Sequence, residues 1–300
     1  MKLGKLGVWA YIDSEAGTSA ANADFAKHIE HWGYSALWIP EAFGREVVAS
    51  SAWLLANTSS LIVAPGIANI YARDPMTTRA GQLGLNEQSG GRYLLGLGVS
   101  HKNIVTSMRG HEYGKPVTTM KNYLAAMKQA TFMAPKPAEE PKTIIAALGP
   151  KMLELARDSC DGAHPYNVSP QHTAMARKIL GPGKLLCVEQ KVLLETNADR
   201  ARDAARKALA FYVVAPNYQN NWLRMGFTAK DFENGGSDRL MDDVVAWGDE
   251  AKIIKCIEAH WEAGADHVCI QAINRVNPVN AAGMMQIDEK LLASLARLNR

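Results

Sequence analysis

LIVAPGIANIYARDP (Leu61–Pro75) and GRYLLGLGVSH (Gly91–His101) bracket a helical run that stops at Gly90. Each begins as a continuous apolar, β-prone run. Such runs suit strands buried on both faces, as in parallel sheets. Each also finishes in small or polar residues, at Gly66-Ile67-Ala68-Asn69 and Gly98-Val99-Ser100-His101. A parallel strand that ends this way exposes backbone to a ligand at its carboxyl end. The stretch therefore proposes a strand–helix–strand unit and the edge of a site together.

Outward from it the pattern repeats. Further strands are expected at Leu6–Tyr11, Ala36–Glu41, Thr143–Leu148, Gly162–Tyr166, Leu185–Glu195 and His267–Ile273, beside Leu61–Ala68 and Tyr93–Val99. Helical runs separate them, several announced by proline at a first-turn position, where a missing N–H costs little. Asn217–Val245 breaks the rhythm and reads as short helices and loops inserted between strands seven and eight. Eight β/α units imply parallel strands, right-handed crossovers and a closed (β/α)8 TIM barrel spanning residues 1–300 as one domain. A doubly wound open sheet is the alternative.

Composition excludes several classes. The chain has 300 residues, 47% hydrophobic and 21% charged, with a net charge of +3. That is the profile of a globular protein, without the basic tract of a nucleic-acid binder. No apolar run reaches membrane-spanning length and no signal-peptide pattern opens the chain, so a cytoplasmic location is expected. The four cysteines are scattered without a C-x-x-C pair, which suits reduced core residues. Neither metal-ligand spacing nor a G-x-S-x-G elbow is present.

In a barrel the chemistry lies at the carboxyl ends of the strands. The residues placed there are Trp9 and Tyr11, Glu41, Asn69 with Tyr71, Arg73 and Asp74, Ser100 and His101, Leu148 to Met152, His164 and Tyr166, and Gln271. His101 is a candidate proton donor or acceptor near neutral pH. Glu41 is a candidate base or hydrogen-bond acceptor, with a structural salt bridge as the other reading. Leu148-Gly149-Pro150 opens a helix whose free N–H groups and dipole suit a phosphate, and Lys151 adds charge.

GYSALWIPE (Gly33–Glu41), the RDP after the third strand, SGGRYLLGLGVSH (Ser89–His101), ALGPKMLELARDSCDGAHPY (Ala147–Tyr166) and EAGADHVCIQ (Glu262–Gln271) together resemble the bacterial-luciferase-like family. The likeness is to its branch of oxidoreductases dependent on the deazaflavin coenzyme F420. The resemblance implies a barrel with an insertion near strand seven and a homodimer packed through the helices after strands two and three. It implies a ring lying against a third-strand bulge with a non-proline cis peptide, at Gly66-Ile67 or one residue earlier at Pro65-Gly66. Cofactor contacts then fall on Glu41, Gly66, Ile67, Asn69, Gly98, Ser100, His101, Leu148, Gly149, Lys151 and Met152. Trp9, Tyr71 and Tyr166 are expected to wall the substrate pocket. In the glucose-6-phosphate branch, a His follows the second-strand carboxylate and a Glu follows the fourth strand. Here those positions hold Ala42 and His101, so that substrate is not implied. The implied activity is hydride transfer between C5 of the deazaflavin and a small organic substrate, with a separate flavin or F420 reductase as the source of reducing equivalents. Alternatives are an FMN-dependent two-component monooxygenase and a non-catalytic cofactor-binding member.

Overall fold

The computed structural model describes residues 1–12 and 17–299. Its strands are β1 (Leu6–Trp9), β2 (Ala36–Ile39), β3 (Ile62–Pro65), β4 (Ala68–Asn69), β5 (Leu95–Gly98), β6 (Thr143–Ala146), β7 (Gly162–His164), β8 (Leu185–Leu194), β9 (Val245–Gly248) and β10 (His267–Ala272). All pairings among them are parallel, in the order β3-β2-β1-β10-β8-β7-β6-β5-β4. β3 and β4 are successive pieces of one stave, and a parallel bridge between Val63 and Tyr93 joins it to the stave of β5. Setting β9 aside, eight staves close the ring. The expected TIM barrel is the fold.

The two faces of each stave separate two cores. On β8, Leu186, Val188 and Val192 pack outward against helices, in the layer that also holds Leu37, Leu95, Ile145 and Ile270. Cys187 packs inward with Trp38, Ile62, Leu94 and Ile144. The alternation follows from the two-residue period of a strand. The inward positions of β8 also carry Glu189 and Lys191, both fully buried and paired at 3.1 Å. Among the described residues five helices open with proline in the first turn: Pro75–Ser89, Pro116–Lys128, Pro150–Ser159, Pro170–Leu180 and Pro216–Arg224.

Two differences from the sequence reading matter for the site. The expected third strand, Leu61–Ala68, is interrupted after Pro65 by a cis peptide at Gly66-Ile67, the first of the two positions considered. The segment between strands seven and eight also contains a strand, β9, pairing Val245–Gly248 with Lys191–Leu194. Four residues directly after a helix carry too little alternation to announce themselves. The rest of the segment is short helices, as expected, Pro216–Arg224 and Asp238–Val244, preceded by the long helix Ala198–Val213. Arg202 ties that long helix to Asp238–Val244 through Asp238 at 3.0 Å and Asp242 at 2.6 Å. Among the described residues no helix is long and apolar enough to cross a membrane.

Candidate active site

The carboxyl ends of the staves open into a cavity of about 1110 Å³. Of the residues expected there, Trp9, Glu41, Gly66, Ile67, Asn69, Gly98, Ser100, His101, Leu148, Gly149, Lys151, Met152 and Tyr166 all line it. Tyr71 does not. The Asn69 side-chain oxygen accepts from the Tyr71 N–H at 2.9 Å and turns the chain aside. Tyr71 instead stacks on Tyr113 at 5.7 Å and accepts the Gly114 N–H.

The bulge is held from both sides. A side chain at Gly98 would meet the Ile67 side chain at 2.4 Å, so only glycine lets β5 lie this close to the cis peptide. The Glu41 carboxylate accepts the Asn69 N–H at 2.6 Å and both terminal nitrogens of Arg73. Its side chain is 5% exposed and that of Arg73 is 9% exposed. Burial works against the Arg73 charge, but Glu41 and Glu46 outweigh it and raise the guanidinium pKa. Glu41 therefore enters the site as a clamp on the strand end, with its oxygens engaged. The nitrogens nearest the open side of Gly66 are Trp9 Nε1 and His164 Nε2. Both are buried without a hydrogen-bond partner among the described residues. The His164 Nδ1–H donates to Cys187 O at 2.8 Å, which leaves Nε2 as an acceptor.

At the other end of the cavity lies the helix opened by Pro150. Gly149 caps it in an extended conformation with no side-chain capping bond. His172 donates from Nε2 to Leu148 O at 2.8 Å and fixes the approach to the cap. Arg224, from the insertion, lies over Gly149, and a Cβ on that glycine would come within 3.2 Å of its guanidinium. Lys151, Lys207, Arg109 and Arg224 line the cavity, and the one carboxylate lining it among the described residues, Glu41, is already paired. The positive end of the helix, a glycine and the Lys151 and Arg224 cations form a cradle for a phosphate-bearing arm.

Ser100 takes a left-handed φ of +56° and turns His101 toward the mouth. His101 packs edge-on against Phe211 at 5.1 Å and lies 6.0 Å from Tyr218. Burial lowers its pKa below the ordinary imidazole value, against a hydrogen bond with Asn217. At neutral pH the ring is therefore uncharged and competent to accept a proton.

The helix Ala198–Val213 and the insertion after it supply what sequence reasoning did not assign: Phe211 and Tyr212 from the helix, Asn217, Tyr218 and Arg224 from the insertion. The available signal was the aromatic density of FYVVAPNYQNNW (Phe211–Trp222), which runs into the segment that breaks the β/α rhythm. Tyr212 reaches Tyr11 and Tyr166 by hydrogen bonds of 2.9 and 3.1 Å, and Tyr166 and Tyr11 flank Trp9. The result is an aromatic pocket between the bulge and the insertion.

Comparison with known proteins agrees with this layout. The model of the luciferase-like monooxygenase family matches residues 5–267. A Mycobacterium tuberculosis protein named for coenzyme F420-dependent oxidoreduction is 26% identical over 88% of this chain and 92% of its own. The 5,10-methylenetetrahydromethanopterin reductase of Archaeoglobus fulgidus is 28% identical over 88% and 87%. In fold, the coenzyme F420-dependent tetrahydromethanopterin reductase of Methanopyrus kandleri superimposes with a TM-score of 0.75 at 18% identity, over 99% of this chain and 98% of that one. With its barrel, its bulged third stave and a family match over most of its length, this chain belongs to the luciferase-like monooxygenase family.

Proposed function

We propose that this protein is an F420-dependent oxidoreductase acting on a small organic substrate. The observation that carries the reading is one continuous cavity with a bulged, glycine-faced stave at one end and a cationic helix cradle at the other. A flat ring with a phosphate-bearing arm fits that arrangement, and the relatives named for F420 favour the deazaflavin. When bound, the deazaflavin supplies hydride chemistry at C5. The chain's own residues bind and orient. Gly66, Ile67 and Asn69 back the ring. Gly98, Ser100 and the Glu41–Arg73 clamp keep that backing in place. Leu148, Gly149, Lys151 and Met152, with Arg224, hold the arm. Trp9 and Tyr166 wall the substrate pocket, and His101 moves the proton that accompanies the hydride. Trp53 and Met76 lie exposed on the helices after β2 and β3, the faces on which a homodimer is expected.

The test is a spectroscopic titration of the purified protein with F420 and FMN side by side. Micromolar binding of F420, well above that of FMN, supports the reading. Tight FMN binding with oxygen uptake would replace it with a flavin monooxygenase. Binding of neither at high concentration would sink it.

A further inference from the structure

Three tyrosine hydroxyls run in a chain along the substrate pocket. Tyr11 meets Tyr212 at 2.9 Å, Tyr212 meets Tyr166 at 3.1 Å, and Tyr166 donates to Gln271 Oε1 at 2.8 Å. Burial raises all three phenols above their ordinary pKa, so each keeps its proton at neutral pH. Each hydroxyl then brings one hydrogen, and there are three contacts to fill. The amide oxygen of Gln271 can only accept. It takes the Tyr166 hydrogen, so Tyr212 must donate to Tyr166 and Tyr11 to Tyr212. Every hydrogen is directed inward. Tyr166 and Tyr212 are buried, whereas Tyr11 is half-buried and lines the cavity. What Tyr11 presents to the cavity is a lone pair.

We propose that Tyr11 is a specificity-determining acceptor, its polarity fixed from Gln271 through the tyrosine chain, and that it selects substrates carrying a hydrogen-bond donor. The pocket walls are Trp9, Tyr166, Tyr212, Tyr218 and Phe211, so the matching ligand is an uncharged, largely apolar molecule with one hydroxyl or N–H. A carbonyl oxygen at the same place would face the Tyr11 oxygen without a hydrogen between them, and unpaired acceptors of this kind are strongly selected against. The inference deepens the reading above, because the ligand concerned is the substrate of the same cavity.

Equilibrium dialysis of the cofactor-free protein against 1-phenylethanol and against acetophenone tests it. The alcohol should bind about five- to tenfold more tightly than the ketone. Tyr11→Phe keeps the ring and removes the acceptor, and should abolish the preference. Gln271→Met frees the Tyr166 hydrogen, lets the chain reverse, and should shift the preference toward the ketone from a position behind the pocket wall. A merely structural Gln271 would lower both affinities alike. Equal affinities in the unmodified protein, a ketone preference, an alcohol preference that survives Tyr11→Phe, or no binding of either compound would overturn the proposal. If Gln271→Met does not fold, Tyr11→Phe decides alone. No cofactor enters the dialysis, so its outcome is independent of the deazaflavin titration.

Discussion

Glu41 and Arg73 lock the end of the second stave to the turn that follows the third. The carboxylate spans the guanidinium and the Asn69 N–H, and the pair is almost wholly withdrawn from water. A carboxylate so engaged is placed to hold geometry. Glu41→Gln keeps an acceptor for Asn69 but leaves Arg73 with Glu46 as its remaining carboxylate. Breaking a buried pair costs about 3–5 kcal/mol, and the surviving partner puts this case toward the lower figure. The expected outcome is a lower unfolding free energy in urea and a roughly tenfold weaker deazaflavin Kd, with kcat at saturating cofactor little changed. A kcat loss of about a hundredfold with unchanged Kd would return Glu41 to the role of a base.

Arg224 gives the second prediction. Its position over Gly149 completes the cradle from a segment far away in sequence. Arg224→Met should weaken F420 binding by about ten- to a hundredfold, the contribution of a charge-assisted contact. Binding of the deazaflavin fragment that lacks the phosphate arm should be unchanged. Equal losses for both ligands would mean that Arg224 supports the pocket wall and leaves the arm alone.

Glu41 and Arg224 differ in how far the sequence announces them. The strand ends were legible, because apolar runs closing on Gly98-Val99-Ser100-His101 or on Leu148-Gly149-Pro150 carry a local signal. The acceptor at Glu41 was visible as a residue, but its partner was not. Arg73 lies 32 positions on, and its neighbour Asp74 is a carboxylate much closer in sequence. In the structure Asp74 instead caps the helix that begins at Pro75, accepting the Thr77 N–H at 3.0 Å. Tyr71 was misplaced because an Asx-type bond from Asn69 redirects the chain, a choice between local hydrogen bonds that composition does not express. Arg224 and the tyrosine chain depend on how the insertion folds back over the mouth, and that is a tertiary matter.

His101 is the third case. An uncharged imidazole beside Phe211 and Tyr218 accepts a proton readily only where it is not already protonated. Its lowered pKa puts the acid limb of the rate profile below the ordinary imidazole value of about 6.5. Turnover should therefore be flat through neutrality and fall on the acid side. His101→Ala should slow turnover by about 10²–10⁴ and remove that limb. A loss of only a few-fold, with the limb retained, would assign the proton to another group.

Four further histidines predict the response of the fold to acid. His164, His172 and His267 are pushed down to about 4 and His260 to about 3, in each case first by burial. Two of them also accept hydrogen bonds that need a neutral ring: the Thr173 hydroxyl donates to His260 Nδ1 at 2.8 Å, and Trp38 Nε1–H donates to His267 Nε2 at 3.0 Å. Folded-state values below the unfolded one mean that the unfolded chain binds more protons in acid. The stability is fully present above about pH 6.5 and is lost as pH falls from there through the folded values near 4. Each group costs about 1.4 kcal/mol per pH unit within that window. Four acting together consume a typical folding free energy of about 5–15 kcal/mol within one to three units. Tm should hold between about pH 8 and 7 and drop steeply toward pH 5. His260→Gln should be less stable at neutral pH yet show a shallower acid slope. A slope identical to that of the unmodified protein would show that the acid response arises elsewhere, in carboxylates such as Asp231 or Glu195, whose hydrogen bonds lower their pKa.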